Sequence, residues 1–216
     1  MAGRQDGDDI VKRLEDYFRL SPDPSGLILP PDPAEHIWRP DGLIHGKAVR
    51  RAAVLIPIVP SLSAKGEYRI MLTLRTPHLR NHAGQVSLPG GGADASDRDI
   101  VHTALRETEE ETHLTPQSIT VVGTLPALIM PSAYHVTPVV GLIDPEALVK
   151  PAPDEVAEIF YVPTSLLLNP ENYQINTMSF QGRDRRFMEL QYGPYRIWGA
   201  TAAILHYLAK QLHQLR

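Results

Sequence analysis

The sequence contains no cysteine and no long apolar run. The absence of cysteine among its 216 residues excludes disulfide bonds, thiolate nucleophiles and cysteine-ligated metals. No stretch is apolar over the roughly 20 residues that a membrane-spanning helix needs. The first residues, MAGRQDGDDIVKRL, carry acids where a secretory signal peptide carries a basic and then an apolar region. We therefore expect a cytoplasmic protein without a membrane partner.

An excess of positive charge is also missing. The chain has 21 Lys and Arg residues against 25 Asp and Glu residues, which gives a formal net charge of -4. This balance provides no global field that would attract nucleic acid or anionic lipid, so we expect neither as a partner. A phosphate-rich ligand would have to be held by a local group of residues.

What is present is an alternation of strand and helix patterns that is typical of an α/β domain. Apolar residues at helical spacing predict a helix over about 8–20, and the following SPDPSGLILPPDP ends it. We divide the chain into an N-terminal helix and Pro-rich arm, residues 1–39, and one α/β domain, residues 40–216. Two further helices are predicted over 97–112 and 200–215. Strands are predicted at 52–59, 68–75, 84–89, 119–126, 135–143, 158–163 and, as a hairpin with a Gly-Pro turn, 185–199.

The middle helix of this prediction carries a dense group of carboxylates in RETEEETHL. Residues three and four apart share a helix face, so Glu107, Glu110 and Glu111 lie together. Apart from Arg98 and Arg106, no Lys or Arg at helical spacing compensates this charge. One interpretation is an acidic helix surface in solvent. The other is a site for a hard divalent cation such as Mg²⁺, which prefers carboxylate oxygens and substrate phosphates.

The stretch GGGADASDRDIVHTALRETEEETHL, residues 90–114, resembles the signature box of the Nudix hydrolases. The resemblance implies an α/β/α sandwich with a mixed β-sheet, a metal-binding helix formed by the box, and a C-terminal helix. Thr108 stands where the box has an aliphatic residue, and His113 stands where it has glycine. Asp97 lies one residue out of register with an acid of the box, so it is either a metal ligand or a cap of the helix.

The preceding segment MLTLRTPHLRNHAGQVSLPGG, residues 71–91, is similar to the extended motif of the Nudix coenzyme A pyrophosphatases. This similarity implies metal-dependent hydrolysis of the pyrophosphate bond of coenzyme A, or of its derivatives, to 3′,5′-ADP and 4′-phosphopantetheine. The substrate-binding residues that it implies are Arg75, Arg80, Gly90 and Gly91. The two arginines suit the outlying 3′-phosphate, and the alternative for both is an ordinary surface position.

Two other functions stay open at this point. One is the same chemistry on another nucleoside diphosphate derivative, such as ADP-ribose or a dinucleotide, because loops decide the substrate. The other is nucleotide binding without cleavage. In each case a small-molecule nucleotide is the expected partner, and a homodimer is one oligomeric state to test.

The Nudix resemblance also assigns catalytic groups. It implies Mg²⁺ or Mn²⁺ as cofactor, with the ligands Glu107, Glu110 and Glu111. Arg106 would orient one of these glutamates. The general base that deprotonates the attacking water is open between Glu110, Glu155 and Glu158, and the last two are equally well explained as surface acids.

Overall fold

A computed structural model describes residues 6–20, 24–29, 31, 43–44, 47–63, 66–79, 82–130, 132–180 and 183–215. Within these residues the helices are α1 (Asp6–Leu20), α2 (Ile100–Thr112), α3 (Thr164–Leu167) and α4 (Gly199–Gln214). The strands are β1 (Leu27–Ile28), β2 (Leu43–Ile44), β3 (Lys47–Ala48), β4 (Arg50–Pro60), β5 (Tyr68–Arg75), β6 (Val86–Ser87), β7 (Gly90–Gly92), β8 (Ile119–Thr124), β9 (Ala127–Ile129), β10 (Tyr134–Ile143), β11 (Val156–Pro163), β12 (Gln174–Phe180), β13 (Arg183–Tyr192) and β14 (Tyr195–Trp198).

One large mixed sheet forms the centre of the fold. The strand order along its main path is β1-β9-β10-β4-β5-β11, and β4 and β10 run parallel at its middle. β5 and β11 continue the sheet by antiparallel pairing on one side. The glycine strand β7 pairs antiparallel with β4, so that Gly91 lies opposite Ala53 and Gly90 opposite Val54. This pairing brings the start of the signature box against the centre of the sheet.

Side chains alternate along the strands and give the sheet two apolar faces. Ala53, Leu55 and Met71 pack with residues of α2, and we call this side the site face. Ile56 and Leu72 point the other way, into a larger cluster that contains α4 and residues of β13 and β14. We call that side the opposite face. Helices therefore cover both sides of a mixed sheet, which confirms the predicted α/β/α sandwich with its C-terminal helix.

The N-terminal helix shares the core of the opposite face. Ile10, Leu14 and Tyr17 are buried in the cluster that contains α4. The Arg13 guanidinium donates to the Leu212 carbonyl, 2.7 Å away, near the end of α4. The predicted helix over 8–20 is thus confirmed, whereas the domain boundary predicted between residues 39 and 40 lies outside the described residues. No helix in the described ranges has the length and apolarity to cross a bilayer.

Several predicted bounds differ from the structure. α2 begins at Ile100 instead of residue 97, because the Asp99 carboxylate accepts a hydrogen bond from the His102 amide at 2.7 Å and caps the helix. Of the two alternatives for Asp97, the structure does not support the helix cap, since Asp99 holds that position. The strand predicted over 84–89 shortens to β6, since Gly84 has a positive φ of 67°. Strand β12 was not predicted; it pairs antiparallel with β13 from Gln174 to Phe180.

Candidate active site

The glutamates of α2 differ strongly in exposure. The Glu111 side chain is 3% exposed, that of Glu107 is 19% exposed, and that of Glu110 is 59% exposed. The Glu111 carboxylate is therefore buried between α2 and the sheet, and that of Glu107 is partly buried. An ordinary acidic helix surface in solvent does not explain a buried carboxylate, since burying such a group is costly unless it is compensated.

Glycines of β7 make room for the carboxylates of Glu107 and Glu111. The Gly90 amide donates to Glu111 Oε2 at 3.3 Å. A Cβ atom on Gly91 would lie 2.3 Å from Glu107 Oε2, so no side chain fits there while the carboxylate keeps its position. A Cβ atom on Gly90 would lie 2.3 Å from the Ala53 carbonyl oxygen. These glycines thus hold glutamates in place, and their predicted contact with substrate stays a prediction.

Arg106 donates hydrogen bonds to most of the acidic residues on the exposed side of the cluster. Its Nη1 donates to Glu107 at 2.9 Å and to Glu110 at 3.2 Å, as the sequence-based orienting role requires. Its Nε and Nη2 donate to Asp97 at 2.9 and 3.0 Å, and Nη2 also reaches the Gly92 carbonyl at 3.1 Å. One side chain therefore connects Asp97 in the loop before α2, the glycine strand β7 and two glutamates.

Asp97 is fully engaged as an acceptor in this arrangement. Besides Arg106, it accepts hydrogen bonds from the His102 ring, the Thr103 hydroxyl and the Asp94 amide. The Arg106 guanidinium is the main cause that holds the pKa of the Asp97 carboxyl far below its usual range. Because these donors occupy both oxygens, Asp97 fits an anchor for Arg106 better than it fits a metal ligand.

Arg75 lies within the carboxylate cluster and not at its periphery. Its Nη1 donates to Glu111 Oε1 at 3.0 Å, and its Nη2 lies 3.9 Å from Glu155 Oε2. The predicted contact of Arg75 with an outlying phosphate stays a prediction, and in the structure the guanidinium is turned to carboxylates. Arg80, the other predicted phosphate ligand, lies outside the described residues.

The two acids of DEVAEIF are on different sides of the sheet. Glu155 reaches the cluster through Arg75 and raises the pKa of both Glu107 and Glu111 by charge repulsion. Glu158 pairs with Leu74, whose side chain packs in the core of the opposite face, and it accepts a hydrogen bond from the Tyr195 hydroxyl at 2.6 Å. The structure thus brings Glu155 to the site and leaves Glu158 away from it.

Burial raises the pKa values of the Glu107 and Glu111 carboxyl groups and so disfavours their ionised forms. It raises the pKa of Glu111 to about 7, although Arg75 and the Gly90 amide act in the other direction. Burial also raises the pKa of Glu107, against the effect of Arg106. The arginines therefore do not fully compensate the negative charge that the cluster would carry at neutral pH.

The cluster has the donor atoms that a divalent cation prefers, although its carboxylates are hydrogen-bonded to arginines. Within the described ranges, no three His, Cys, Asp or Glu side chains converge closely enough to hold a metal ion. The donors are nevertheless all carboxylate oxygens, which Mg²⁺ and Mn²⁺ prefer, and their charge is incompletely compensated. Glu107, Glu110 and Glu111 are the residues that would hold such an ion.

Comparison with known proteins decides the family. A NUDIX domain matches residues 49–179, which is more than half of the chain. The chain belongs to the Nudix hydrolase family. It is 44% identical to the uncharacterized Nudix hydrolase NudL of Photorhabdus laumondii over 163 residues, which cover 76% of this chain and 85% of that protein. Its identity to NudL of Klebsiella pneumoniae is 38% over 176 residues, covering 82% and 90% of the two chains.

Solved Nudix structures resemble the chain more distantly. The Nudix hydrolase RenU of M. smegmatis has a TM-score of 0.45 at 23% identity, over 54% of this chain and 71% of that one. A MutT/nudix family protein of Enterococcus faecalis has a TM-score of 0.48 at 15% identity, over 78% and 63%. Nudix hydrolases cleave pyrophosphate bonds in nucleotide derivatives, generally with divalent metals such as Mg²⁺ or Mn²⁺.

Proposed function

We propose that this Nudix hydrolase cleaves the pyrophosphate bond of coenzyme A, or of its derivatives, to 3′,5′-ADP and 4′-phosphopantetheine. The observation that carries the proposal is that the two ends of the segment 71–91, whose sequence is similar to the coenzyme A pyrophosphatase motif, contact glutamates of α2. Arg75, the last residue of β5, donates to Glu111, and Gly90 and Gly91 lie against Glu111 and Glu107. These contacts between the motif and the signature box support a single site formed by both.

The divalent ion would be held by Glu107, Glu110 and Glu111. When bound, it neutralises pyrophosphate oxygens and acidifies the attacking water. Arg106 keeps Glu107 and Glu110 turned to a common side, and Arg75 keeps Glu111 from rotating away. Glu111 is buried, which strengthens its interaction with Arg75.

Glu155 is the general base that the geometry favours. Its side chain is half exposed and is next to Arg75, so it can accept a proton from water at the edge of the cluster. Glu110 is held by Arg106 and is needed for the metal. Glu158 is excluded from this role by its place on the opposite face, where Tyr195 occupies its carboxylate.

The outlying 3′-phosphate of coenzyme A needs a separate cation. Because Arg75 is turned to Glu111 and Glu155, we assign the 3′-phosphate to Arg80, which follows β5 by five residues in the sequence. A charged hydrogen bond of this kind contributes about 1.5–3 kcal/mol, so the arginine would matter strongly for coenzyme A.

The test is a substrate panel with products resolved by chromatography. Purified protein with Mg²⁺ or Mn²⁺ is offered coenzyme A, dephospho-coenzyme A, ADP-ribose and NADH. We expect the highest kcat/KM for coenzyme A and the products 3′,5′-ADP and 4′-phosphopantetheine. A higher kcat/KM for ADP-ribose or NADH would replace the substrate assignment, and binding without turnover of any of them would refute the enzymatic one.

A further inference from the structure

The helix α2 ends in a backbone conformation that is uncommon for residues other than glycine. His113 has a φ of 55° and a ψ of 13°, which is the left-handed region, and its amide donates to the Glu109 carbonyl. Glycine is the usual residue at such a position because a Cβ atom is strained there. A non-glycine residue held in this region points to a role for its side chain.

The imidazole of His113 binds the loop that follows β10. Its Nδ1 donates to the Lys150 carbonyl at 2.9 Å. The Lys150 amide in turn donates to the Thr112 carbonyl, and the Ala152 amide donates to the Glu111 carbonyl, each at 2.9 Å. The end of α2 and residues 150–152 are therefore tied together by three hydrogen bonds, one of which needs the histidine side chain.

The same loop continues directly to Glu155. The amides of Glu155 and Val156 donate to the Ala152 carbonyl at 3.1 and 2.8 Å, and the Glu155 carbonyl accepts from the Thr76 amide at 3.0 Å. The backbone of Glu155 is thus fixed between Ala152 and the residue after β5. A shift of Ala152 would be passed on to Glu155 through these contacts.

We propose that His113 is a positioning residue, which holds residues 150–156 against the end of α2 and thereby fixes Glu155 at the carboxylate cluster. The inference rests on the proposed role of Glu155 as general base. It separates His113 from an ordinary helix cap, because a cap needs only the backbone conformation, whereas this role needs the Nδ1 donor.

Two variants separate the backbone from the side chain. His113→Gly removes the imidazole and relieves the left-handed strain, whereas His113→Ala removes the imidazole and keeps that strain. We expect the urea midpoint of His113→Gly to equal or exceed that of the wild type. In both variants we expect the amides of Ala152, Glu155 and Val156 to exchange with deuterium about tenfold faster than in the wild type, for the loss of one hydrogen bond.

The kinetic expectation is a fall in kcat of about tenfold in both variants, with KM unchanged, because the general base is displaced while substrate contacts remain. Unchanged exchange at residues 150–156 in His113→Gly would overturn the inference. Loss of kcat in His113→Ala alone would also overturn it, since strain would then be the cause.

A parallel Glu155→Gln variant keeps the two proposals apart. If His113→Gly loosens the loop but neither it nor Glu155→Gln lowers kcat, His113 holds the loop as inferred, and Glu155 is not the base. If Glu155→Gln lowers kcat and His113→Gly leaves exchange at residues 150–156 unchanged, the base assignment stands and the inference about His113 fails.

Discussion

The same substitution at two neighbouring glycines should damage two different properties. A Cβ atom on Gly90 would lie 2.3 Å from the Ala53 carbonyl oxygen and 2.6 Å from the Val54 Cα, both backbone atoms of β4. Gly90 also has a φ of 149°. Gly90→Ala must therefore separate β7 from β4 and strain the backbone, and we expect a loss of about 3 kcal/mol in the free energy of unfolding.

The Gly91 substitution meets a movable group instead. Its Cβ atom would lie 2.3 Å from Glu107 Oε2 and 2.6 Å from Cδ, the end of a side chain that can rotate. We expect Gly91→Ala to change the free energy of unfolding by less than about 1 kcal/mol. Displacing the Glu107 carboxylate by an ångström should lower kcat by about 100-fold.

Urea unfolding and steady-state kinetics on the same preparations measure both effects. Gly92→Ala is the matched control, because its Cβ atom would meet nothing within 4 Å and its φ is not positive. We expect it to behave as the wild type in both assays. Wild-type turnover in Gly91→Ala at saturating Mg²⁺ would refute the placement of Glu107 against β7, and wild-type stability in Gly90→Ala would refute the close approach of β7 and β4.

Three further predictions concern charge. In the metal-free protein the raised pKa of Glu111 contributes stability below about pH 4.5, and this stability is lost as the pH rises to about 7. The free energy of unfolding of Glu111→Gln, measured in urea, should therefore increase relative to that of the wild type by about 3 kcal/mol across this window. Equal pH profiles of the two proteins would contradict the burial of this carboxylate. Glu155→Gln should lower kcat by at least about 100-fold, and Glu158→Gln should leave it unchanged; the reverse order would exchange their assignments. Arg80→Ala should lower kcat/KM for coenzyme A about tenfold to 100-fold and leave kcat/KM for dephospho-coenzyme A unchanged. If the ratio of the two kcat/KM values is the same in the variant and the wild type, Arg80 does not recognise the 3′-phosphate.

The sequence was most informative where a residue pattern is local. The predicted strand over 68–75 coincides with β5, and helical spacing correctly brought Glu107 and Glu111 to one side of α2. The signature box also predicted the link from Arg106 to a glutamate, because that contact joins neighbouring residues on one helix. Periodicity and short spacing are sufficient for such features.

The sequence was least informative where pairing between distant strands decides. β11 has an irregularity between Val156 and Glu158, so that simple alternation does not predict which face Glu158 occupies. The turn of Arg75 toward Glu111 depends on how β5 lies beneath α2, across 36 residues of sequence. No local pattern distinguishes an arginine that holds a glutamate from one that binds a phosphate.

The shared core of α1 and α4 limits how far this protein can be truncated. The part that matches the NUDIX domain, residues 49–179, contains neither helix and also lacks β13 and β14. An excised fragment with those limits would keep its glutamates, but the cluster that contains Ile56 and Leu72 would lose the residues that α1, α4, β13 and β14 contribute. Such a fragment should expose apolar surface and aggregate in solution. A stable truncated protein must therefore retain Ile10, Leu14 and Tyr17 together with α4.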